Sequence, residues 1–231
     1  MNDSRASYRL FGLRISSDIR LPELPPCPGD GCGDVEIRRG PVPADGSEVG
    51  PKMGPFSHAA ENALWLRVPG VARYLVRDGR ELIYLPEGDV DEDSVRVFML
   101  GTCIGALLSQ RGHLVLHGNV FEVGGGCAVC VGSSGAGKST LAARMLQRGH
   151  RIIADDVCPV DMQGRAVPGI SRLKLWQDTA RQLEIDTAGL QRIRTGIAKF
   201  SLPLGDAFRA EPAPIRAIYV LTPWNQDRFM I

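Results

Sequence analysis

The feature that most constrains this chain is the nine-residue run G-S-S-G-A-G-K-S-T, which spans residues 132–140. An apolar run, C-A-V-C-V, precedes it, and a segment with helical periodicity follows it. The pattern G-x-x-x-x-G-K-[ST] is met by Gly132, Gly137, Lys138 and Ser139. A strand, a glycine-rich turn and a helix in this order predict a phosphate-binding loop, the P-loop, and with it an α/β domain.

The chemistry of a P-loop gives its positions distinct roles. Glycines let the backbone N–H groups turn inward and donate to phosphate oxygens, and the following helix directs its positive dipole end at the same oxygens. We expect Lys138 to reach the β- and γ-phosphates of ATP and Ser139 to coordinate Mg²⁺. The predicted nucleotide-binding residues are Gly132, Ser133, Ser134, Gly135, Ala136, Gly137, Lys138, Ser139 and Thr140.

Two adjacent acids, Asp155 and Asp156, end an apolar strand predicted at residues 151–154. One helix separates this strand from the P-loop strand, so we expect the two to be parallel neighbours joined by a single crossover. In P-loop proteins a carboxylate at this place holds Mg²⁺ or its water. We predict that one acid serves the metal and the other accepts the proton of an attacking hydroxyl. The alternative is that one acid only caps a turn or stays solvated.

His117 lies between two short strands, which we predict at residues 114–116 and 119–123. A histidine near a strand end is more often a structural residue than a catalytic one. The residues alone therefore leave the role of His117 open.

Of the six cysteines, one pair has the spacing of a metal or redox site. Cys127 and Cys130 are three apart on a predicted strand, where they would point to opposite faces, so we expect buried thiols rather than a site. Cys27 and Cys32 flank a P-G-D-G loop that has no further ligands at a spacing suited to zinc.

Composition argues against two classes of partner. The 27 Lys and Arg residues nearly balance the 26 Asp and Glu residues, so we expect no wholesale binding of nucleic acid through charge. The most apolar run, residues 97–108, is shorter than the roughly 20 residues that span a bilayer, which predicts a buried helix and no membrane partner. The first residues have no apolar core of the kind found in signal peptides, so we expect a cytoplasmic protein.

We predict a smaller β-rich domain in residues 1–92 and the P-loop domain in residues 93–231. An Asp-Gly turn between two alternating runs predicts a hairpin over residues 74–84. A helix is predicted from a cap at Asp91 or Asp93 to about Gln110, because Gly112 follows at the position of a helix stop. Residues 225–231 contain no obvious closing element, which leaves open whether the natural C-terminus lies beyond Ile231.

The motifs in residues 113–160 together resemble the HPr kinase/phosphorylase superfamily. The resemblance is carried by His117-Gly118, the P-loop, and the run R-G-H-R-I-I-A-D-D at residues 148–156. It implies an α/β P-loop kinase domain of the HPr kinase type, behind a smaller β-rich N-terminal domain. It also implies ATP- and Mg²⁺-dependent phosphorylation of a serine in a protein or peptide, and it suggests a homo-oligomer.

The same resemblance assigns roles by position. It implies that Asp156 is the general base and that Asp155 is a carboxylate that binds Mg²⁺ or orders the site. It places His117 in the active site near the phosphates, and it leaves Lys138 and Ser139 in their P-loop roles.

Other stretches are more similar to a group of HPr-kinase-like proteins, some of which accompany lasso-peptide biosynthesis. These stretches are the opening Y-R-L-F-G-L-R-I-S-S-D-I-R-L-P-E-L, the run before His117, and P-G-I-S-R-L-K-L-W at residues 168–176. We find no R-G-R-N-type motif of the kind linked to dephosphorylation in bifunctional members. The likeness implies a kinase without phosphorylase activity that modifies the C-terminal serine of a lasso-peptide precursor.

Basic residues beyond the carboxylates are candidates for substrate binding. Arg172 and Lys174 can hold a phosphate or a substrate carboxylate. Their alternation with apolar residues equally fits a solvated strand face. Lys199 and Arg194 are weaker candidates of the same kind.

Three rival functions stay open. The chain can be an HPr-type regulatory kinase whose acceptor is a carrier protein. It can be a nucleotide-dependent binding module that positions a peptide without moving a phosphate. It can also be a kinase for a small hydroxy compound such as serine, although a β-rich first domain that could grip a peptide argues mildly against this.

Overall fold

The computed structural model describes residues 5–27 and 33–222 of the 231-residue chain. Two predictions lie outside these residues, namely the loop position of Cys32 and the ending at residues 225–231. The contacts divide the described residues into two compact units: residues 5–27, 33–115 and 192–198, and residues 116–191 and 199–222. Each of the two units contains both helices and strands, so the chain is of the mixed α/β class that the sequence predicts.

The first unit is rich in β-structure, as predicted. Its eight-stranded sheet has the order β1-β2-β3-β8-β7-β6-β5-β4. The strands are β1 (Ala6–Leu10), β2 (Leu13–Ser17), β3 (Val35–Arg39), β4 (Lys52–Gly54), β5 (Ser57–Ala60), β6 (Ala63–Val68), β7 (Ala72–Arg77) and β8 (Glu81–Pro86). The predicted hairpin is β7–β8, and its turn residues Asp78 and Gly79 have φ of 56° and 59°, the positive values that a tight hairpin turn needs.

The predicted helix is present but is interrupted. It consists of α1 (Glu92–Phe98), a π-helical segment (Met99–Cys103) and α2 (Ile104–Gln110). Asp91 caps it, because its side chain accepts a hydrogen bond from the Ser94 N–H at 2.7 Å. Past the end of α2, Gly112 has φ of 82°, the conformation expected of a helix stop.

This helix belongs to the first unit, since it packs on β7 and the Tyr74 hydroxyl donates to the Val95 carbonyl at 2.9 Å. The two units therefore separate after Val115, whereas the sequence places its boundary after residue 92. The functional division into residues 1–92 and 93–231 stays a prediction.

The second unit is built around a closed barrel with the strand order β10-β15-β12-β11-β9. Its strands are β9 (Leu114–Val123), β10 (Gly126–Gly132), β11 (Ile152–Val160), β12 (Arg165–Ala166) and β15 (Ala213–Leu221). A separate two-stranded sheet pairs β13 (Arg172–Trp176) with β14 (Lys199–Pro203). The helices are α3 (Lys138–Gln147), α4 (Gln177–Gln182) and a 3₁₀ turn (Gly205–Ala207).

The strand carrying the P-loop, β10, has different neighbours from those predicted. It pairs antiparallel with β9 through the Gly124-Gly125 turn and parallel with β15. Since these two strands occupy both of its edges, β11 is one strand further away, beyond β9. The expectation that β10 and β11 are adjacent is therefore wrong.

Two predicted strand boundaries are also wrong. The two short strands expected on either side of His117 form one continuous strand, β9, which runs from Leu114 to Val123. Strand β11 does not end at the aspartates but continues to Val160, so Asp155 lies inside a strand.

The cysteine prediction for β10 is confirmed. Cys127 and Cys130 are both buried, and they pack in two different apolar clusters, as side chains on opposite faces of a strand do. In the described part of the chain, no helix is both long enough and apolar enough to cross a membrane.

Candidate active site

The P-loop connects β10 to α3, and its three glycines, Gly132, Gly135 and Gly137, all have positive φ values. Gly132 has φ of 153°, and a Cβ there would lie 2.5 Å from the Leu221 carbonyl oxygen of β15. Gly137 has φ of 92° and directly precedes the helix. The first helical bond runs from the Leu141 N–H to the Gly137 carbonyl, so the amides at the start of α3 have no acceptor within the helix.

The P-loop lysine lies along its own loop. Lys138 Nζ donates to the carbonyl oxygens of Gly132 at 2.7 Å and Ser133 at 3.0 Å. Further along the helix, the Thr140 hydroxyl lies 3.3 Å from the Thr179 hydroxyl of α4. The two bonds from Lys138 hold its ammonium group against the start of the loop.

A single pocket of the second unit brings most of the predicted site residues together. Its lining comprises His117, Asn119, Ser134, Gly135, Gly137, Lys138, Ser139, Thr140, Asp155, Asp156, Lys174, Trp176, Thr179 and Lys199. The other predicted nucleotide-binding residues belong to the loop but not to this lining: Gly132, Ser133 and Ala136.

Both aspartates line the pocket although they are neighbours inside a strand. Side chains of successive strand residues ordinarily point to opposite faces. Asp156 breaks this alternation because its φ is 84°, a left-handed conformation that is uncommon for residues other than glycine. Such a conformation costs on the order of 1–3 kcal/mol and is found mostly at functional sites. A backbone distortion, and not a strand end as predicted, makes the two carboxylates converge.

Asp155 is held from two sides. The Asn119 side-chain amide donates to its Oδ1 at 2.6 Å, and the Lys174 backbone N–H donates to its Oδ2 at 2.8 Å. Burial raises the pKa of Asp155; the Lys174 charge opposes this rise, and the adjacent Asp156 charge adds to it.

Asp156 has a cationic partner. The Lys174 ammonium donates to its Oδ2 at 2.5 Å, and His117 Nδ1 lies 3.3 Å from its Oδ1. Burial alone would raise the pKa of Asp156. The charge and hydrogen bond of Lys174, with a smaller contribution from His117, outweigh burial and hold this pKa below its usual value. Asp156 is therefore a carboxylate that stays ionised.

The four candidate basic residues lie in different parts of the structure. Arg172 and Lys174 are 8% and 6% exposed, so the alternative of a solvated strand face is wrong. Lys174 and Lys199 line the pocket, whereas Arg172 does not. Arg194 belongs to the first unit, where its guanidinium lies 5.6 Å from the centre of the Phe98 ring.

Three lining residues were missed from the sequence: Asn119, Trp176 and Thr179. Asn119 carries a signal that could have identified it, since it is a polar residue in an apolar strand and is 1% exposed. A buried amide needs hydrogen-bond partners, and Asp155 supplies one. Trp176 and Thr179 carry no comparable local signal.

Gly118 sets the position of His117 and Asn119 on β9. A Cβ on Gly118 would lie 2.3 Å from the Cys130 carbonyl oxygen of β10, so Gly118→Ala forces the two strands apart. We expect this substitution to lower the free energy of unfolding by about 1–3 kcal/mol in urea titrations. Gly105→Ala is the matched control, because the nearest atom to its added Cβ is 4.0 Å away and alanine favours a helix. Equal stability of Gly118→Ala and the wild type would contradict the close approach.

The donor set of the pocket fits a magnesium nucleotide. Loop amides and the Lys138 ammonium suit phosphate oxygens, while the Ser139 hydroxyl and the Asp155 carboxylate are oxygen ligands of the kind that Mg²⁺ prefers. Among the described residues, no three His, Cys, Asp or Glu side chains form a metal cluster. A nucleotide-bound Mg²⁺ needs none, since phosphates and water supply most of its ligands.

Comparison with known proteins identifies relatives of this site. Residues 109–196 match the family described as HPr Serine kinase C-terminal domain. The HPr kinase/phosphorylase of Treponema pallidum is 43% identical over 116 residues, which are 50% of this chain and 33% of that protein. The enzyme of the same name from Bordetella pertussis is 36% identical over 80 residues, or 35% of this chain and 25% of that protein. That from Prosthecochloris aestuarii is 39% identical over 51 residues, or 22% and 15%.

These matches confirm the resemblance to an HPr-kinase-like family. The chain matches no more than a third of the length of the relatives described above. The family match at residues 109–196 contains the P-loop and both aspartates. The names of these relatives refer to HPr, so the lasso-peptide acceptor stays a prediction.

Proposed function

We propose that this chain is an ATP-dependent serine kinase with a P-loop domain of the HPr kinase type. It transfers the γ-phosphoryl group to a serine of a peptide, with the C-terminal serine of a lasso-peptide precursor as the first candidate acceptor. The observation that carries the proposal is the meeting of Lys138, Asp155 and Asp156 in one pocket. The likeness to enzymes named HPr kinase/phosphorylase makes an HPr-type carrier protein the second candidate acceptor.

In this proposal the P-loop holds the phosphates of ATP. Backbone amides of the loop and Lys138 bind the phosphate oxygens, and Ser139 and Asp155 are the residues that would hold Mg²⁺. When bound, Mg²⁺ neutralises negative charge on the phosphates. Asn119 and the Lys174 backbone fix Asp155, so this carboxylate needs little rearrangement to bind a metal.

Asp156 acts on the acceptor. Its carboxylate orients the serine hydroxyl and takes its proton as the new bond from the serine oxygen to the γ-phosphorus forms and the bond to the β-phosphate oxygen breaks, releasing ADP. The transition state of phosphoryl transfer is loose, so a carboxylate with a lowered pKa suffices to orient the hydroxyl. His117 is 66% exposed and lies beside the same carboxylate, which suits a residue that contacts the entering substrate.

Lys174 has the role of a positioning residue. Its ammonium group donates to Asp156, and its backbone N–H donates to Asp155, so one residue orients both carboxylates. We expect Lys174→Met to lower kcat by about 10- to 100-fold while nucleotide affinity changes by less than about threefold. The affinity is measured by calorimetry and the rate by ADP release. A purely structural role would instead change nucleotide binding, kcat and the unfolding midpoint together.

The test of the proposed function is an intact-mass measurement on the full chain with ATP and Mg²⁺. A synthetic precursor peptide ending in serine and an HPr protein are offered separately, each with a serine-to-alanine control. A gain of one phosphate that depends on the serine identifies a serine kinase and its acceptor class. Unchanged mass for both acceptors, with ATP still bound, favours the binding module or a small-molecule acceptor.

Further predictions belong to the same proposal. We expect a homo-oligomer and no phosphorylase activity, and we expect residues 1–92 either to bind the peptide or to support the catalytic domain. Incubation of the phosphorylated product with inorganic phosphate and without nucleotide tests for phosphorylase activity, in which the phosphoryl group would pass to phosphate and pyrophosphate would be released.

A further inference from the structure

The pocket contains a third lysine, which the proposed mechanism does not use. Lys199 lies on β14 opposite Trp176 of β13, and its Nζ is 5.4 Å from the centre of the Trp176 ring. It lines the same pocket as Lys138 and Lys174. Its place in the pocket is therefore fixed by a strand pair and by an aromatic face.

The three lysines differ in their partners. Lys138 donates to two loop carbonyls, and Lys174 forms an ion pair with Asp156. Lys199 forms no salt bridge with any carboxylate in the described part of the chain, and its ammonium group lies over the Trp176 ring. The two aspartates of the pocket are already bonded by Asn119 and Lys174.

The surroundings of Lys199 favour an added anion. Burial lowers its pKa, and the positive charges of Lys174 and Lys138 lower it further against the opposing effect of the two aspartates. An oxyanion in the pocket would offset both the burial of the ammonium and the repulsion among the lysines. Since Lys199 and the P-loop lysine line the same pocket, an anion that meets both is the one that Lys138 binds.

We propose that Lys199 binds the terminal phosphate of the bound nucleoside triphosphate. A phosphate bound by both Lys138 and Lys199 is contacted from two separate elements, the P-loop and β14. A cation–π contact with the Trp176 ring holds the Lys199 side chain in place. This inference rests on the proposed function in one respect, namely that the anion belongs to a nucleotide in the P-loop.

The test measures nucleotide affinity, so it does not depend on phosphoryl transfer. The full chain and its Lys199→Met, Lys199→Arg and Lys52→Met variants are titrated calorimetrically with Mg²⁺-ADP and with a non-hydrolysable Mg²⁺-ATP analogue. Lys52 is an exposed lysine of β4 and serves as the matched control. Circular dichroism and the unfolding midpoint establish that each variant folds.

For Lys199→Met we expect the affinity for the ATP analogue to fall by about 10-fold or more while that for ADP changes less than about twofold. Lys199→Arg should keep most of the affinity for the analogue, and Lys52→Met all of it. Equal effects on both nucleotides, or none, would overturn the proposal. An unchanged nucleotide affinity with a raised KM for the acceptor would also overturn it, because Lys199 would then bind an anion of the acceptor.

The two proposals fail in different ways. If wild-type protein binds the analogue more tightly than ADP through Lys199 but phosphorylates no acceptor, the kinase proposal fails and the role of Lys199 stands. If acceptors are phosphorylated but Lys199→Met binds both nucleotides as the wild type does, the role of Lys199 fails alone. If wild-type protein binds neither nucleotide, both are wrong.

Discussion

Asp156→Asn is expected to lower kcat by about 10²- to 10⁴-fold, the usual contribution of a positioned general base, while the dissociation constant for ATP changes by less than about threefold. The substitution removes the proposed proton acceptor and leaves the P-loop, Lys138 and Ser139 untouched. It keeps the shape of the site, because asparagine tolerates the left-handed backbone that Asp156 adopts at φ 84° and its amide oxygen can still accept from Lys174.

The measurement compares initial rates of peptide phosphorylation with calorimetric nucleotide affinities for the same preparations. Asp206→Asn is the matched control, since Asp206 is an exposed aspartate of the same unit that does not line the pocket. We expect this control to match the wild type in both rate and affinity. Normal turnover by Asp156→Asn would show that another group accepts the proton, and a loss of nucleotide affinity would show that Asp156 acts on the phosphates.

Local features of this fold were predictable because they depend on residues close in sequence. The Asp78-Gly79 turn and the cap at Asp91 follow from short motifs with a direct physical cause, namely positive φ and a side-chain acceptor for a helix N–H. The P-loop belongs to the same class, since its glycine spacing alone determines where the chain can turn.

Pairings between distant strands were not predictable in the same way. The neighbours of β10 depend on the length of β9 and on the return of β15 to the barrel, and no local pattern encodes either. A parallel crossover beside the P-loop is the simplest arrangement for a strand, a helix and a strand, but here a preceding strand occupies that edge.

The site was predictable in part for the same reason. Asp155 and Asp156 are adjacent in sequence, and their convergence needed only one unusual φ value, which sequence patterns do not reveal. Asn119 and Lys174 meet Asp155 across separate strands, and Lys199 joins them through the β13–β14 pair. The meeting of both aspartates with loop residues in one pocket was therefore foreseen, whereas much of the shell that orients them was not.

Lys138→Met should have an effect of a different kind, because the lysine is proposed to contact the nucleotide rather than the acceptor. We expect the affinity for Mg²⁺-ATP to fall by about 10- to 100-fold, the cost of a charged hydrogen bond to phosphate. We expect kcat to fall by a further factor of about 10² or more, since the ammonium also stabilises charge that develops on the transferred group.

The comparison of Lys138→Met with Lys199→Met separates the two lysines. Loss of Lys138 should weaken ADP as well as the ATP analogue, because a P-loop lysine reaches the β-phosphate, whereas loss of Lys199 should weaken only the analogue. Methionine keeps the length of the side chain, so the loop loses only the bonds from Lys138 Nζ to the Gly132 and Ser133 carbonyls. The unfolding midpoint should therefore stay close to that of the wild type. Unchanged affinity for both nucleotides in Lys138→Met would remove the P-loop as the nucleotide site, and with it the basis for the kinase proposal.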